Sequence, residues 1–450
     1  MSRHKRRNGD SINPYMSAIH RIACALLLVG CGNVKSDDTA ADGPAQDSPD
    51  NPSTTVSVSN TGDDANDGIA GPVKTLKRAI GIAAANPTIT TIALATGRYE
   101  GATGETFPYT VPPNITIHGP AGGGAVLVGT AAVPGLVVDA GTLRDLELET
   151  FMVAITSRAA TTLTNVRVRD SVTAVQGEAG ALLTVDGLDI TGATGACALG
   201  IALNGTADLK ATNVATRTLG SALEAREQST VDLAANITGD ASCAQAVIIS
   251  STTRAFALRD TIIDGGKDGI SFTAVTQATL TNTTIRNLTN DALLGKPVFT
   301  MTGGALIDNG RAGLEVSGGE WTFTNVAIKN HPVMGIYFQN GSTPGKLKLR
   351  GCTVTGNRTG VYLFAVPVGV DLGTAASPGG NIFQGNAQYG VEADTSSGTP
   401  LIPAVGNTWR PNVQGADATG KYATPATING PVDLGAGTNF SVNTGCSLSR

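Results

Sequence analysis

From residue 145 onward, the chain repeats a short motif centred on Asp, Asn or Gly. Examples are LRDLEL, LTNVRV, LTNTTI and FTNVAI, and successive centres lie about 20 to 26 residues apart. A period of this length indicates a solenoid, in which each unit buries its apolar face only by stacking on its neighbours. The centres are Asp145, Asn165, Gly187, Asn213, Asn236, Asp260, Asn282, Gly303, Asn325 and Gly351.

Each unit contains short strands separated by turn residues. Apolar and polar residues alternate, as in TFTNVAI at 322–328, which is typical of strands. About ten residues later comes a second run that begins with glycine: GISFTAV, GLEVSGG, GIYFQNG, GVYLFAV or GVEAD. With 57 Gly and only 4% aromatic residues, the composition suits many short strands and turns. The sequence therefore predicts an all-β solenoid.

This repeat resembles the right-handed parallel β-helix of the pectate-lyase-like superfamily, over roughly residues 55–400. The resemblance implies a single-stranded right-handed parallel β-helix solenoid with a short N-terminal capping helix. Asn or Asp accepts the left-handed backbone conformation of a tight corner, and stacked coils repeat such a residue about every 4.8 Å. We therefore expect a ladder of structural amides at Asn287, Asn309, Asn330, Asn357 and Asn386.

The N-terminal part has its own pattern. The strand TTVSVSN is followed by a loop and then by PVKTLKRAIGIAAAN, whose apolar residues lie on one helical face, with Pro72 just inside the expected start. This segment resembles the family called domain of unknown function 1565, which is found at the head of many bacterial surface β-helices. The matching residues are Gly62, Asp64, Asn66, Gly68, Pro72, Lys74, Thr75, Leu76, Ala79, Gly97 and Tyr99.

The loop before this helix is a candidate cation site. It offers four oxygen-bearing side chains, whereas Ca²⁺ takes about six or more oxygen ligands. The spacing of the common calcium loop is missing, and no glutamate follows at the required distance. We therefore expect a turn without a cofactor, with calcium as the alternative at Asp63, Asp64, Asn66 and Asp67.

The N-terminus indicates export. Arg21 precedes the apolar run IACALLLVG, which is too short to span a bilayer and is typical of a signal peptide. The run ends at Cys31, and LVGC resembles the lipobox of bacterial lipoproteins. The resemblance implies a lipid on Cys31 and an anchored protein of the bacterial cell envelope, at the outer membrane or cell surface.

These signals divide the chain into a signal peptide and lipobox (1–31), a disordered tether (32–55), an N-terminal strand and capping helix (56–110), the β-helix coils (111–400) and a C-terminal cap (401–450). The formal net charge of −5 provides no basic surface for nucleic acid. The expected partners are the membrane, through the lipid, and a carbohydrate. The sequence leaves the oligomeric state open.

Two cysteines stand at matching places in two repeats, Cys197 in CALGIAL and Cys243 in CAQAVII. No CxxC or Cys/His cluster accompanies them, which disfavours a metal site. Two coils separate them, and regular coils would hold their Cα atoms about 9–10 Å apart, beyond disulfide reach. Their loop-like flanks can close this gap, so a disulfide and two free thiols both remain open.

Charged residues are densest in DTIIDGGKDGISF and the coils that follow. Arg286, Asp308 and Lys329 each precede an asparagine of the expected ladder, which predicts a shared outward stripe. Its length, roughly 15–20 Å, suits a bound oligosaccharide better than one reacting centre. The candidate binding stripe is Asp264, Lys267, Asp268, Arg286, Asp308, Lys329, His331 and Arg358.

The preferred hypothesis is a non-catalytic protein that binds a glycan or a partner along this stripe, or a structural rod. The alternative is a polysaccharide lyase or glycoside hydrolase that acts on an extracellular or envelope polysaccharide. No catalytic residue is assigned, because the clustered Asp and His motifs of β-helix hydrolases are missing from the coils. Trp321, Tyr337 and Tyr362 are either sugar-stacking rings or fillers of the coil interior.

Overall fold

The computed structural model describes residues 53–244, 246–251, 253–273, 277–339, 345–364, 369–393 and 402–409, and the short strands at 428–429 and 432–433. The predicted lipidation site Cys31 lies outside the described residues. So do most of the predicted tether and most of the predicted C-terminal cap.

The described chain is an all-β parallel solenoid of about 13 turns with almost no helix. Each turn adds strands to two long sheets, and every pairing between the strands named below is parallel. Residues about one turn apart therefore lie side by side, as Thr161, Leu183 and Leu209 do on successive coils. The right-handed winding stays a prediction.

In chain order the strands are β1 (Thr55–Val58), β2 (Thr91–Leu94), β3 (Gly97–Tyr99), β4 (Tyr109–Val111), β5 (Ile115–His118), β6 (Ala125–Val128), β7 (Leu136–Val138), β8 (Gly141–Arg144), β9 (Leu146–Glu149), β10 (Val153–Ser157), β11 (Ala160–Arg169), β12 (Thr173–Gly177), β13 (Leu182–Thr191), β14 (Leu199–Leu203), β15 (Asp208–Leu219), β16 (Ser221–Ala225), β17 (Thr230–Gly239), β18 (Ala246–Ser250), β19 (Ala255–Arg259), β20 (Ile262–Asp264), β21 (Asp268–Phe272), β22 (Ala278–Arg286), β23 (Leu293–Gly295), β24 (Val298–Ile307), β25 (Ala312–Val316), β26 (Glu320–Thr324), β27 (Ala327–Lys329), β28 (Met334–Gln339), β29 (Lys346–Arg350), β30 (Thr353–Thr355), β31 (Thr359–Phe364), β32 (Gly369–Asp371), β33 (Ile382–Gln384), β34 (Tyr389–Ala393), β35 (Ile402–Pro403), β36 (Thr408–Trp409), β37 (Ile428–Asn429) and β38 (Val432–Asp433).

Sheet 2 consists of β4, β7, β10, β12, β14, β16, β18, β21, β23, β25, β28, β31, β34 and β37. Strands β35 and β38 pair with each other, and all the other strands form sheet 1. Inward residues of both sheets build a continuous apolar core. Trp321 is one of them: it packs against Phe299 with ring centroids 4.7 Å apart, so it fills the interior.

A left-handed corner bends sheet 1 within most coils, at the residues that the repeat predicts. Nine of the ten predicted centres have φ between 48° and 83°, a conformation that Asn, Asp and Gly tolerate best. The side chains stack between coils, since Asn165 Nδ2 donates to Asp145 Oδ1 at 3.3 Å. At Gly351 a Cβ would lie 2.3 Å from Asn325 Oδ1, so glycine is required there.

Asn236 is the exception among the predicted centres. The pairing of β15 with β17 shifts register between Ala211 and Val214, and Asn236 then pairs with Ala215 inside the strands. No residue of β17 has a positive φ, so this coil lacks the left-handed corner in sheet 1, and the centre predicted at Asn236 was wrong.

The expected amide ladder is in fact two rows. Asn287 and Asn330 occupy exposed left-handed corners, where Asn330 Nδ2 donates to Asp308 Oδ1 at 2.9 Å. The other three asparagines stand one position later and are buried, and their side chains bond the backbone of neighbouring coils. The His331 N–H, for example, donates to Asn357 Oδ1 at 3.0 Å. A one-residue step at the corner thus separates a surface row from an interior row.

One α-helix, α1 (Leu76–Ala85), and one 3-10 turn (Gly101–Thr103) interrupt the described strands. The helix begins four residues later than predicted, because Val73 still forms a parallel bridge with Val58. Thr75 caps its N-terminus by accepting the Arg78 N–H. The buried Glu105 carboxylate accepts the Leu76 N–H at 2.8 Å, which suits the positive end of a helix. The role of α1 as a cap of the solenoid stays a prediction.

Candidate functional site

The structure divides the predicted stripe into separate groups. Asp264, Arg286, Ile307 and Lys329 stand side by side at the ends of their sheet 1 strands, and we call these four residues the charged column. Arg286 donates to Asp264 Oδ2 from Nε at 2.9 Å and from Nη2 at 2.8 Å. The Asn287 amide donates to Asp264 Oδ1, and with Arg286 it lowers the pKa of this carboxyl. The acid of this column is therefore fully engaged.

The other stripe residues lie elsewhere. Asp308 occupies the exposed corner after Ile307 and does not share the charged column. Lys267 precedes sheet 2, and Asp268 is the first residue of β21 in that sheet. Arg358 precedes β31, and its N–H donates to the His331 carbonyl. The structure thus brings together Asp264, Arg286 and Lys329, and places Lys267, Asp268 and Arg358 at the start of sheet 2.

His331 is inside the solenoid. It is fully buried at the position that Asn309 and Asn357 fill on neighbouring coils, and its Nε2 lies 3.2 Å from the Leu306 carbonyl. Burial lowers the pKa of His331 to about 4, and its Nδ1 has no hydrogen-bond partner within the described residues. It is therefore a polar interior residue, out of reach of any ligand on the surface.

A different surface, on the outer face of sheet 2, combines acids, a base and aromatic rings. Glu315, Tyr337, Tyr362 and Glu392 pair in this order on four successive strands, β25, β28, β31 and β34. The strand neighbours of Glu315, Tyr337 and Tyr362 are buried, and so is Val391 before Glu392, so these four side chains face outwards. The rings of Tyr337 and Tyr362 stack with centroids 5.6 Å apart and planes 17° apart.

Two cavities open beside these rings. The larger, of about 410 Å³, is lined by Arg311, Ala312, Glu315, Val333, Met334, Tyr337, Tyr362 and Phe364, and we call it the tyrosine cleft. The smaller, of about 220 Å³, is lined by Leu294, Gly295, Lys296, Glu315, Val316, Ser317, Tyr337 and Gln339. Because Glu315 and Tyr337 line both cavities, the two cavities adjoin each other.

A buried acid lies behind the tyrosine cleft. Asp291 is 1% exposed, and its N–H donates to Oδ1 of Asp268 on the preceding coil at 3.3 Å. Arg311 Nε lies 3.3 Å from Asp291 Oδ1, and the same guanidinium also pairs with Glu315. Burial raises the pKa of Asp291 to about 6, while Arg311 opposes this shift and Asp268 adds to it.

Sequence reasoning assigned no role to Asp291, Arg311 or Glu315. A signal was nevertheless present, because the second run of each late coil begins with glycine and the third residue faces outwards. This position holds Ser271, Glu315, Tyr337, Tyr362 and Glu392. Reading that column down the repeat identifies the acidic and aromatic face. Asp291 carries no such signal, since only tertiary packing buries it.

The model of the family described as "Protein of unknown function (DUF1565)" matches residues 60–413. The chain belongs to this family. None of the curated proteins compared with the chain matches it.

Several solved structures are similar to the chain. The GH136 lacto-N-biosidase from Eubacterium ramulus is 11% identical, with a TM-score of 0.42 over 70% of this chain and 64% of that chain. The chain therefore spans less than two thirds of that enzyme. The A-module of the Azotobacter vinelandii mannuronan C-5 epimerase AlgE6 is 15% identical, with a TM-score of 0.39 over 79% and 90% of the two chains. A mannuronic acid specific polysaccharide family 6 lyase from human gut microbiota is 11% identical, with a TM-score of 0.35 over 77% and 86%. These values support no inference about the site or the substrate of this chain.

In the loop before α1, the acidic side chains accept hydrogen bonds from backbone N–H groups. Asp64 Oδ1 accepts the N–H groups of Lys74 and Thr75, both at 2.8 Å. Asp67 Oδ1 accepts two N–H groups at 2.9 Å, Asp63 Oδ1 accepts one at 3.0 Å, and Asn66 Nδ2 donates to the Pro72 carbonyl. These bonds hold the turn. Within the described ranges, no three His, Cys, Asp or Glu side chains come together as a metal site.

Cys197 and Cys243 form a disulfide with their Cα atoms 5.5 Å apart. Gly220 lies on the intervening coil, close to Cys197. A Cβ at Gly220 would lie 2.9 Å from the Cys197 backbone, so a residue without a side chain is needed there. Asp240 adds a second link by accepting the Gly195 N–H at 3.1 Å.

In the described part of the chain, no helix has the length and apolar character needed to cross a membrane.

Proposed function

We propose that the protein binds a carbohydrate chain on the outer face of sheet 2, with sugar rings in the tyrosine cleft. The observation that carries this proposal is the stacked, half-exposed pair Tyr337 and Tyr362 beside a cavity of about 410 Å³. A sugar ring has an apolar C–H face and a polar edge, and a tyrosine ring with polar neighbours matches both.

The polar neighbours favour a neutral or aminated sugar over a uronate. The tyrosines are flanked on their own column by Glu315 and Glu392, and the Arg311 guanidinium is already shared between Glu315 and Asp291. A carboxylate on the ligand would meet two acids beside the rings. Hydroxyl groups can accept from Arg311 and donate to Glu315 without this repulsion.

The test is a glycan array probed with the full-length protein and with the double variant Tyr337→Ala, Tyr362→Ala. We expect neutral or aminated oligosaccharides among the signals, and their loss in the double variant. Arg286→Ala, in the charged column, is the matched control and should keep every signal. Signals that survive the double variant and vanish with Arg286→Ala would refute the proposal in favour of the charged column.

Cleavage of a glycosidic bond is the second candidate function. The observation in its favour is that Asp291 and Glu315 share one guanidinium, because a pair of nearby carboxyl groups is the usual machinery of glycosidases. Asp291 is 1% exposed and does not line the cavity, which favours binding over turnover. A reducing-sugar assay on each bound glycan, with Glu315→Gln as the inactive control, separates the two functions.

Location in the bacterial cell envelope, through a lipid on Cys31, is part of this proposal. The apolar run that ends at Cys31 supports it. Intact-mass measurement of the protein from a bacterial membrane fraction should give a mature chain that starts at Cys31 and carries acyl groups. A mature terminus elsewhere, without acyl mass, would contradict the anchor and leave the carbohydrate site untouched.

A further inference from the structure

We propose that Asp291 is a pH-dependent positioning residue of the tyrosine cleft, whose ionised carboxylate holds Arg311 against the coil and so keeps the cleft open for saccharide. This inference rests on the proposed carbohydrate function. It adds a regulation of the same site and a role for a residue that does not itself touch the ligand.

The first step is the position of Asp291 behind the cleft. It is 1% exposed, and its Oδ1 accepts no well-aligned hydrogen bond within the described residues. Its compensation is the Arg311 guanidinium, 3.3 Å away. A buried carboxylate with a single cationic partner strongly favours keeping that partner in place.

The second step is that Arg311 has two acidic partners. It pairs with Asp291 behind the cleft and with Glu315 inside it, and its own side chain is 43% exposed. With Asp291 ionised, the guanidinium is drawn back to the coil and Glu315 is partly neutralised. With Asp291 protonated, this hold is lost, and Arg311 is free to follow Glu315 into the volume that a sugar ring would fill.

The third step is the charge around Asp291. Asp268 lies on the preceding coil and, as a like charge, favours protonation of Asp291. Arg311 and the Ala312 N–H, on the following coil, favour its ionised form, and Glu315 lies beyond Arg311. Lys267 and Arg358 flank the start of sheet 2, and the buried His331 lies beneath Gly313. These opposing influences, together with burial, bring the pKa of Asp291 to about 6, close to ambient pH.

The test is isothermal titration of the full-length protein with cellohexaose, xylohexaose and chitohexaose between pH 5 and 8. If only the form with ionised Asp291 binds, affinity should be about tenfold weaker at pH 5 than at pH 7.5, because about a tenth of the protein is then competent. Under the same assumption, Asp291→Asn mimics the protonated form and should show no measurable binding at either pH 5 or pH 7.5. Asp232→Asn, which breaks the surface ion pair with Arg259 on sheet 1, is the matched control and should behave like wild type.

A second measurement uses wild-type protein alone, in case Asp291→Asn does not fold. Carboxyl ¹³C shifts of Asp291 should titrate near pH 6 in the free protein and at a lower pH when the saccharide is bound, because binding favours the ionised form. Binding that is flat from pH 5 to 8, or an equal pH dependence in Asp291→Asn, would overturn this inference and leave the carbohydrate site standing. Absence of binding by all three saccharides at every pH would overturn both.

Discussion

The charged column on sheet 1 and the tyrosine cleft on sheet 2 carry similar numbers of charges and use them differently. In the column, one carboxylate of Asp264 takes two bonds from Arg286 and one from Asn287. In the cleft, one guanidinium of Arg311 serves two acids, and two aromatic rings stand beside an open volume. A dense patch of charge is therefore not in itself a site, because mutually satisfied charges leave a ligand little to bind.

The same contrast recurs along the solenoid. Sheet 1 carries exposed ion pairs between neighbouring coils, such as Arg169 with Glu147 and Arg217 with Asp189. Exposed pairs of this kind contribute about 0.2–1 kcal/mol each. On sheet 2 the outward column places two aromatic residues, Tyr337 and Tyr362, between the acids Glu315 and Glu392. Binding is expected where aromatic rings replace the charged residues of the outward column.

The largest expected effect is on binding at the cleft. Removing both rings with Tyr337→Ala and Tyr362→Ala should weaken saccharide affinity about 30-fold or more, since well-packed aromatic contacts cost about 2 kcal/mol or more when truncated. Melting temperature should change little, because both side chains face outwards. Titration calorimetry measures the affinity and thermal melts measure the stability. Unchanged affinity in the double variant would contradict saccharide binding at the tyrosine cleft.

A smaller effect is expected in the interior beneath the cleft. Burial lowers the pKa of His331 to about 4 from its ordinary 6.5. Between pH 6.5 and pH 4 the histidine is therefore protonated in the unfolded chain and neutral in the folded protein. Stability should therefore fall as pH drops through this window, by at most about 1.4 kcal/mol per pH unit. Asp291 has the opposite effect on stability. Because its pKa is raised in the folded protein, its contribution should increase stability as pH falls from about 6 to about 4.

The variant His331→Asn isolates the histidine contribution, because Asp291 is the same in both proteins. Asn fits the site by analogy with Asn357, whose Nδ2 donates to the Ile328 carbonyl and whose Oδ1 accepts the His331 N–H. The variant should lose less stability than wild type between pH 6.5 and 4.5, as measured by urea unfolding. Parallel pH profiles of the two proteins would contradict the buried, neutral histidine.

The smallest effects are expected in the charged column. Arg286→Ala should cost less than about 1 kcal/mol of unfolding free energy, because the pair is exposed and screened by salt. Lys329→Ala should cost even less, since its column neighbour is Ile307. Neither variant should change saccharide affinity more than about twofold. A tenfold loss of saccharide affinity in either variant would show that the binding site lies on sheet 1.

Much of this architecture can be predicted from the repeat. The corner residues follow from backbone sterics, since Asn, Asp and Gly are the residues that accept positive φ, and nine of ten predicted centres are confirmed. Asn236 was misplaced because a shortened coil shifts the register, and such a shift leaves no local mark in the sequence. The helix start was predicted too early because Pro72 also suits the bridged strand that precedes α1.

The candidate site was harder to predict. His331 follows Lys329 and Asn330 and precedes Pro332, so its sequence neighbours give no indication that it replaces an interior asparagine. Trp321 and Tyr337 both lie in strands with alternating apolar and polar residues. Whether such a side chain points inwards or outwards depends on its position relative to the corner, and Trp321 points inwards whereas Tyr337 points outwards. The burial of Asp291 depends on its neighbours in space, Asp268 and Arg311, each about a turn away in the chain.

The most direct test of the account is a crystal structure of the full-length protein with xylohexaose, cellohexaose or chitohexaose. We expect sugar rings stacked on Tyr337 and Tyr362, with hydroxyl groups bonded to Arg311 and Glu315. A saccharide lying along Asp264, Arg286 and Lys329, with the tyrosine cleft empty, would contradict it.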